Sequence, residues 1–443
     1  MSALVEIRSP RSSRRAVLRA GALGAAGLLG AACAGQGTAA GGLRPLKAPV
    51  SIEYWEMFGD PGSSPERAKV LLDFNKAQSE VQVTTQVMPG DLAKIKSAVA
   101  GGAPPDAMYL TWTFFADLLD PPLMVKLDDY LKGNKEWDDR RKDASPPLLK
   151  DHYWQGKQYS MPLYAATYAM YYNRALFKQR GLAEPKAGWT WNDFVDLGRR
   201  GASPPDIWAY SFTRQDHIRW HLFGGTNDSG FVNADGTKVT ITSPEATETT
   251  QWLVDLVQKL RIFTTDRASA QAEVHFQVGQ GLFEAQGSYR APLWKQSGVD
   301  FGVVPMPVKK HPSTYSASHH GLVFKKGSED RQIGAMKMFL WATKPDVNAR
   351  FCKADGWNPM YGATAKEPVI TQWVADEPFQ KVYADATATS RNVAVLPNQS
   401  AFYKPFNDAF KAMTLGQLGV NEGLATAGRL MQTVLDDVMS RAK

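Results

Sequence analysis

His217 and His221 stand at the i, i+4 spacing of a helical zinc pair. The residues between them, Ile218, Arg219 and Trp220, include no carboxylate that could activate water, so no metal site is expected. No Gly-x-Ser-x-Gly elbow and no Cys-x-x-Cys is present, and the glycine-rich tract from Gly21 to Gly30 follows no strand. Acid–base, nucleophilic and phosphate-loop chemistry therefore have no anchor, and neither a catalytic residue nor a cofactor is expected. What the chain has in quantity is aromatic surface, with 13 Trp, 15 Tyr and 20 Phe. Many of the Trp and Tyr stand beside Gly, Pro or Asn, in segments that read as loops. Indole and phenol rings carry a polar atom that needs a partner when buried, so aromatic loops on a rigid scaffold suggest a binding cleft.

The elements that must position these residues alternate in type. Val50-Ser51-Ile52-Glu53-Tyr54-Trp55 alternates as a strand, and Ser64-Pro65-Glu66 opens a helix with Val70, Leu71 and Phe74 on one face. Val81–Val87 is a second strand, Leu92, Ile95 and Val99 mark a second helix, and Pro105–Leu110 is a third strand. The stretch from Tyr159 to Tyr172 reads as extended throughout, and Thr190-Trp191-Asn192-Asp193 as a capping box. From Ser328 onward nearly all is helix, closing on an apolar stripe of Leu424, Ala427, Met431, Val434, Leu435 and Val438. Such alternation predicts an α/β fold with a mostly parallel sheet, whose ligands sit at the carboxyl ends of the strands.

The leader is an address. Ser13-Arg14-Arg15-Ala16-Val17-Leu18-Arg19 resembles a twin-arginine export signal, with Arg14 and Arg15 as its pair, and precedes an uncharged run that stops at Cys33. Leu28-Leu29-Gly30-Ala31-Ala32-Cys33 resembles a bacterial lipobox, with Gly30 where Leu is preferred. Either Cys33 is lipidated or the signal is cut near Ala32. The run is shorter than the roughly 20 apolar residues that span a bilayer. Residues 1–32 hold five Arg and one Glu, or +4 of the formal +7, so the remainder is near +3 and gives no reason to expect nucleic acid. With Cys33 lipidated, Cys352 has no intramolecular partner, and the fold must stand without a disulfide. About 410 residues remain after the leader, which suits two lobes.

Four segments together resemble the extracellular solute-binding proteins of carbohydrate ABC importers, the maltose-binding class. They are the opening strand with Tyr54-Trp55, Gly102–Tyr109, Gly156–Phe177 and Phe301–Pro307 running on to Lys344-Pro345. The resemblance implies a two-lobed α/β fold of the flytrap type, each lobe a mostly parallel sheet flanked by helices, with a helix-rich C-terminus. Lobe I would comprise 50–164 and 309–344 and lobe II 165–308 and 345–443, after a signal over 1–32 and a lipidated leash over 33–49. Crossings are expected near Leu163–Ala165, Met306–Lys309 and Lys344. The implied ligand residues are Trp55, Glu56, Trp112, Tyr164, Tyr289, Trp357 and Tyr403, with Asp106 structural and His319-His320 either touching ligand or solvated. The implied partners are a carbohydrate, the permease subunits of the importer and a membrane through a lipid anchor, for a monomer outside the cytoplasm. Glycerol-phosphate-type ligands and an exported enzyme are the alternatives.

Overall fold

The computed structural model describes residues 43–57, 65–88, 92–119, 122–211, 216–264, 273–391 and 395–441. Cys33, Arg14 and Arg15 lie outside the described residues, as does the side chain of Trp112. The described residues form one compact unit, and no described helix is long and apolar enough to cross a membrane.

One sheet organises the molecule, from strands β1 (Val50–Glu56), β2 (Val81–Val87), β3 (Ala107–Thr111), β4 (Ser160–Asn173), β5 (Phe283–Gly287), β6 (Phe301–Val304) and β7 (Ser316–Val323). The helices that bear on the site are α1 (Pro65–Ala77), α2 (Leu92–Ala100), α3 (Trp112–Leu118), α4 (Trp191–Gly201), α5 (Asp216–Gly224), α6 (Pro244–Gln258), α7 (Glu329–Ala342), α8 (Pro345–Asp355), α9 (Gln380–Thr387), α10 (Gln399–Thr414) and α11 (Val420–Arg441). The strand order is β6-β4-β7-β3-β1-β2, with β5 also on β4.

The sheet is mixed where the alternation predicts a mostly parallel one. β1 runs parallel to β2 and β3, but β7 is antiparallel to β3 and β4, and β4 is antiparallel to β5 and β6. The reason is mechanical: β4 carries the chain out of lobe I and β7 brings it back, so neighbours on the crossing run in opposite senses. β4 is buried along all 14 residues, and at about 3.3 Å per residue it reaches roughly 45 Å, long enough to serve both lobes. Its first half pairs with β7 and its second half with β5 and β6.

Ala165 marks the crossing. It pairs with Ser318 of β7 on one edge and exchanges two main-chain hydrogen bonds with Asn358 on the other, at 2.8 and 2.9 Å. The segments β4, β7 and Trp357-Asn358 therefore lie side by side. Val308 N–H donates to Trp189 O and Lys310 N–H to Thr226 O, while Lys309 and Lys310 pair with Glu248 and Glu245. Helix α8 packs on α1 and pairs Arg350 with Asp73 at 2.7 Å, and the chain beyond Asn358 meets the Asp143–Ser145 segment, where Ser145 N–H donates to Met360 O and Ala363 N–H to the Asp143 carboxylate.

Local chemistry sets these elements. Thr190 and Asp193 cap α4 reciprocally, and the Ser243 hydroxyl accepts from Ala246 N–H at the start of α6. Glu329 and Asp330 open α7, favourable against the helix dipole, and also hold Arg44. Pro345 starts α8 and Gly356 ends it at φ +72°. A Cβ on Gly356 would lie 2.9 Å from Tyr289 Cα, so only glycine lets this turn meet the Tyr289 segment. One buried cluster runs through the molecule, gathering Tyr54, Val70, Phe74 and Phe339 at one end and Phe194, Trp220, Phe223 and Phe283 at the other.

Candidate binding cleft at the lobe crossing

Strand alternation divides the end of lobe I between its two faces. Trp55 points into the core shared with Ile95, Met108, Leu110 and Phe115, and donates its indole N–H to Glu53 at 2.7 Å. Glu56 lies on the opposite face, buried, accepting from Tyr54 OH at 2.9 Å and registering against Tyr109. Tyr109 OH is 2.6 Å from His319 Nδ1, and the two rings stack within 9°. Asp106 takes the Glu53 N–H and both arms of Arg331, which makes it a structural clamp on the strand ends.

The crossing carries an aromatic cluster. Trp357 stands 6.3 Å from Tyr164, 4.5 Å from Tyr289 and 4.2 Å from His319, measured between ring centroids. Rings from β4, from β7 and from the Tyr289 segment therefore meet at one indole. Tyr289 is half-buried, donates its hydroxyl to Gln286 at 2.8 Å, and has the Arg290 guanidinium 5.5 Å from its ring centroid. Ser288 Oγ fastens the segment to Gly356 O at 2.6 Å.

Lobe II supplies a polar wall. Tyr403 on α10 stacks face to face on His217 of α5 at 4.2 Å and meets Phe231 edge-on. His221, one turn along α5, holds Arg391 O at 2.7 Å and meets Tyr315 edge-on. The first turn of α10 touches lobe I directly. Asn398 N–H donates to Ala116 O at 3.1 Å, and Ser400 N–H to the Asp117 carboxylate at 2.9 Å. Nearby, Asp151 accepts from Ser318 Oγ at 3.1 Å. A crevice of about 570 Å³ opens between Pro146, Asp151 and Tyr153 on one lobe and Val232, Asn233 and Ser390 on the other. Larger grooves lie away from the crossing, one against α4 and α6 and one between α2, α3 and α11.

Burial sets the charge state of this region. His217 and His221 are pushed down to about 4 and His152 to about 3, and His320 also falls well below its usual range, each chiefly by desolvation. His152 Nδ1 and His320 Nδ1 both reach Ser160 Oγ, at 2.8 and 2.9 Å. Arg219 and Glu284 form a buried pair at 2.9 Å. Among the described residues, no group of three or more His, Cys, Asp or Glu is placed to hold a metal ion.

A two-lobed scaffold of this kind has counterparts among known proteins. Residues 69–378 match the family described as bacterial extracellular solute-binding protein. The chain belongs to this family. The sn-glycerol-3-phosphate-binding periplasmic protein UgpB of Brucella abortus is 23% identical over 405 residues, 86% of this chain and 92% of that protein. A multiple sugar-binding protein of Streptococcus mutans is 24% identical over 328 residues, 69% and 74% of the two chains. Among solved structures, an ABC substrate-binding protein of Listeria monocytogenes in complex with cycloalternan superposes with a TM-score of 0.78 at 18% identity, covering 88% of this chain and 99% of that one. UgpB of Mycobacterium tuberculosis in complex with glycerophosphocholine does so with a TM-score of 0.75 at 18% identity, covering 89% and 100%. At these identities the structural likeness establishes the fold.

In this solute-binding protein, Tyr164, Trp357 and Tyr289 come together, and Glu56 lies on their face of the sheet. Trp55 does not join them, because it alternates to the far face and packs in the core. Tyr403 lies on the lobe II wall with one ring face already covered by His217, which leaves its hydroxyl as the available group. His319 and His320 are fully buried, not solvated: one stacks on Tyr109 and the other on Phe115. Residue spacing alone missed His217, Gln399, Tyr315 and Asp151. The i, i+4 relation of Gln399 to Tyr403 was the available signal for one of them.

Proposed function

We propose that this solute-binding protein is the extracytoplasmic substrate-binding component of an ABC importer, and that it captures a sugar or oligosaccharide between its lobes. The observation that carries the reading is the meeting of Tyr164, Trp357 and Tyr289 beside the Ala165–Asn358 pairing. Rings from both lobes gathered at the crossing can take the apolar face of a pyranose, while Glu56 and Asp151 accept from its hydroxyl edges. Lobe I comprises residues 50–167, 317–376 and the N-terminal strap at Arg44. Lobe II comprises 168–313 and the helices from Gln380 onward. Closure rotates the lobes about the strand crossing beside Ala165, and the loaded form presents one face to a permease. A lipid on Cys33, exported through the Arg14-Arg15 signal, keeps the monomer near the membrane. Cycloalternan in the Listeria structure and the name of the Streptococcus relative support a carbohydrate.

A second reading, a glycerol phosphodiester, is favoured by the Arg290 guanidinium over Tyr289 and by the likeness to UgpB. A thermal-shift panel of neutral oligosaccharides against sn-glycerol 3-phosphate and glycerophosphocholine separates the two. Ligand that binds only the folded state raises the melting temperature as its concentration passes Kd. Stabilisation by saccharides is expected, and response to the phosphates alone would transfer the assignment to the second reading.

A further inference from the structure

We propose that His217, Gln399 and Tyr403 form a wall that reads hydroxyl groups of an uncharged polyhydroxyl solute, with His217 as a hydrogen-bond acceptor. The inference deepens the solute-binding reading and rests on it. Helix α10 sets Gln399, Tyr403 and Asn407 at i, i+4 and i+8, one stripe of the helix. The stripe faces α5, because Tyr403 stacks on His217 and Asn407 bonds it. It begins at the seam between the lobes, where Asn398 and Ser400 bond to α3.

The tautomer follows from geometry. Asn407 Oδ1 accepts the His217 main-chain N–H at 3.0 Å, which fixes that atom as oxygen. The same oxygen lies 3.1 Å from His217 Nδ1, so Nδ1 must carry the proton and Nε2 a lone pair. At His221 the order is reversed. Its Nε2 faces the Arg391 carbonyl, so Nε2 holds the proton and Nδ1 the lone pair.

Five buried polar atoms on these two helices have no partner among the described residues: His217 Nε2, His221 Nδ1, Tyr403 OH, and both amide atoms of Gln399. Gln399 is 2% exposed and His217 6%. A buried polar atom left unpaired carries its full desolvation penalty, so a guest that supplies both donors and acceptors is favoured here. An O–H can donate to His217 Nε2, whereas a phosphate oxygen brings only lone pairs to a lone pair. Burial keeps both imidazoles neutral, which preserves this discrimination at ordinary pH. The flanking cations are already committed, Arg219 to Glu284 and Arg391 to Asp228.

The test uses the full chain with maltotriose, trehalose and glycerol as neutral probes and sn-glycerol 3-phosphate and glycerophosphocholine as charged ones, titrated by calorimetry. A neutral probe should bind, His217→Leu should weaken it about 10-fold, and His217→Gln, which keeps an acceptor oxygen, should recover part of the loss. If the leucine variant fails to fold, Gln399→Leu replaces it, with the same weakening expected. Nitrogen-15 spectra of labelled histidine should show His217 protonated at Nδ1 and bare at Nε2. Tight binding of a phosphate probe that tolerates His217→Leu would overturn the proposal, as would a proton on His217 Nε2 or neutral binding indifferent to these variants. Silence from every probe of both classes would overturn the solute-binding reading itself, and this inference with it.

Discussion

Removing the Asp117 carboxylate should weaken solute binding more than it weakens the fold. Helix α10 begins after Asn398, which is held at φ +57° and lends no side-chain cap. The cap comes instead from lobe I, where Asp117 accepts from Ser400 N–H at 2.9 Å and also from its hydroxyl. The Asp117 side chain is only 1% exposed, and Lys96 lies 3.8 Å from it. A cap of this kind is worth about 0.5–2 kcal/mol, typically near 1. If the contact exists only when the lobes are closed, Asp117→Ala takes that energy from the closed state alone. At 1.4 kcal/mol per decade, about 1 kcal/mol is roughly a 5-fold rise in Kd. Asp117→Asn, which keeps one acceptor oxygen, should fall between. The assay is calorimetric titration with the solute that gives the largest thermal shift, with the melting temperature of the free variant alongside. A lower melting temperature with an unchanged Kd would show that the contact persists in the open form and would refute the reasoning.

Trp357→Ala should weaken binding and loosen the crossing, since the indole contacts Tyr164, Tyr289 and His319, and ring pairs contribute about 0.5–1.5 kcal/mol each. Titration checks it, and undiminished affinity would remove this ring from the site. Acid should destabilise the fold before the carboxylates titrate. His152, His217, His221 and His320 have depressed folded values, so below about pH 6.5 the unfolded chain binds more protons, and stability present above that pH is lost as pH falls toward 4. At pH 5.5 the loss is on the order of 1 kcal/mol per histidine, and a flat melting temperature from pH 7 to 4.5 would contradict it. Cys33→Ser should release the protein from membranes into the soluble fraction, and retention in the membrane pellet would remove the lipid anchor.

Much of the architecture was legible because it is written in local patterns. The extended run of β4, the cap at Thr190 and Asp193, and the helix start at Pro65 appear where their residues predict them. The crossing positions were less legible. Residues 305–313 are held to lobe II by scattered contacts such as Lys310 N–H to Thr226 O, and no periodicity encodes these. Trp55 and Glu56 are adjacent in a strand and face opposite ways, with Trp55 in the core, a division that spacing alone does not resolve. The convergence of Tyr164, Tyr289 and Trp357 follows the family resemblance, not any local pattern. His217 was hidden for a different reason. Its spacing to His221 suggests a metal, while the group that defines its chemistry, Asn407, is 190 residues away.

Two lobes that hinge at the strand crossing beside Ala165 should close over a guest. Small-angle scattering of the free protein and of the protein saturated with its best-stabilising solute tests this directly. A smaller radius of gyration with solute, reversed when the solute is removed, is the predicted result. Identical scattering in both states, at a solute concentration that calorimetry shows to be saturating, would contradict it.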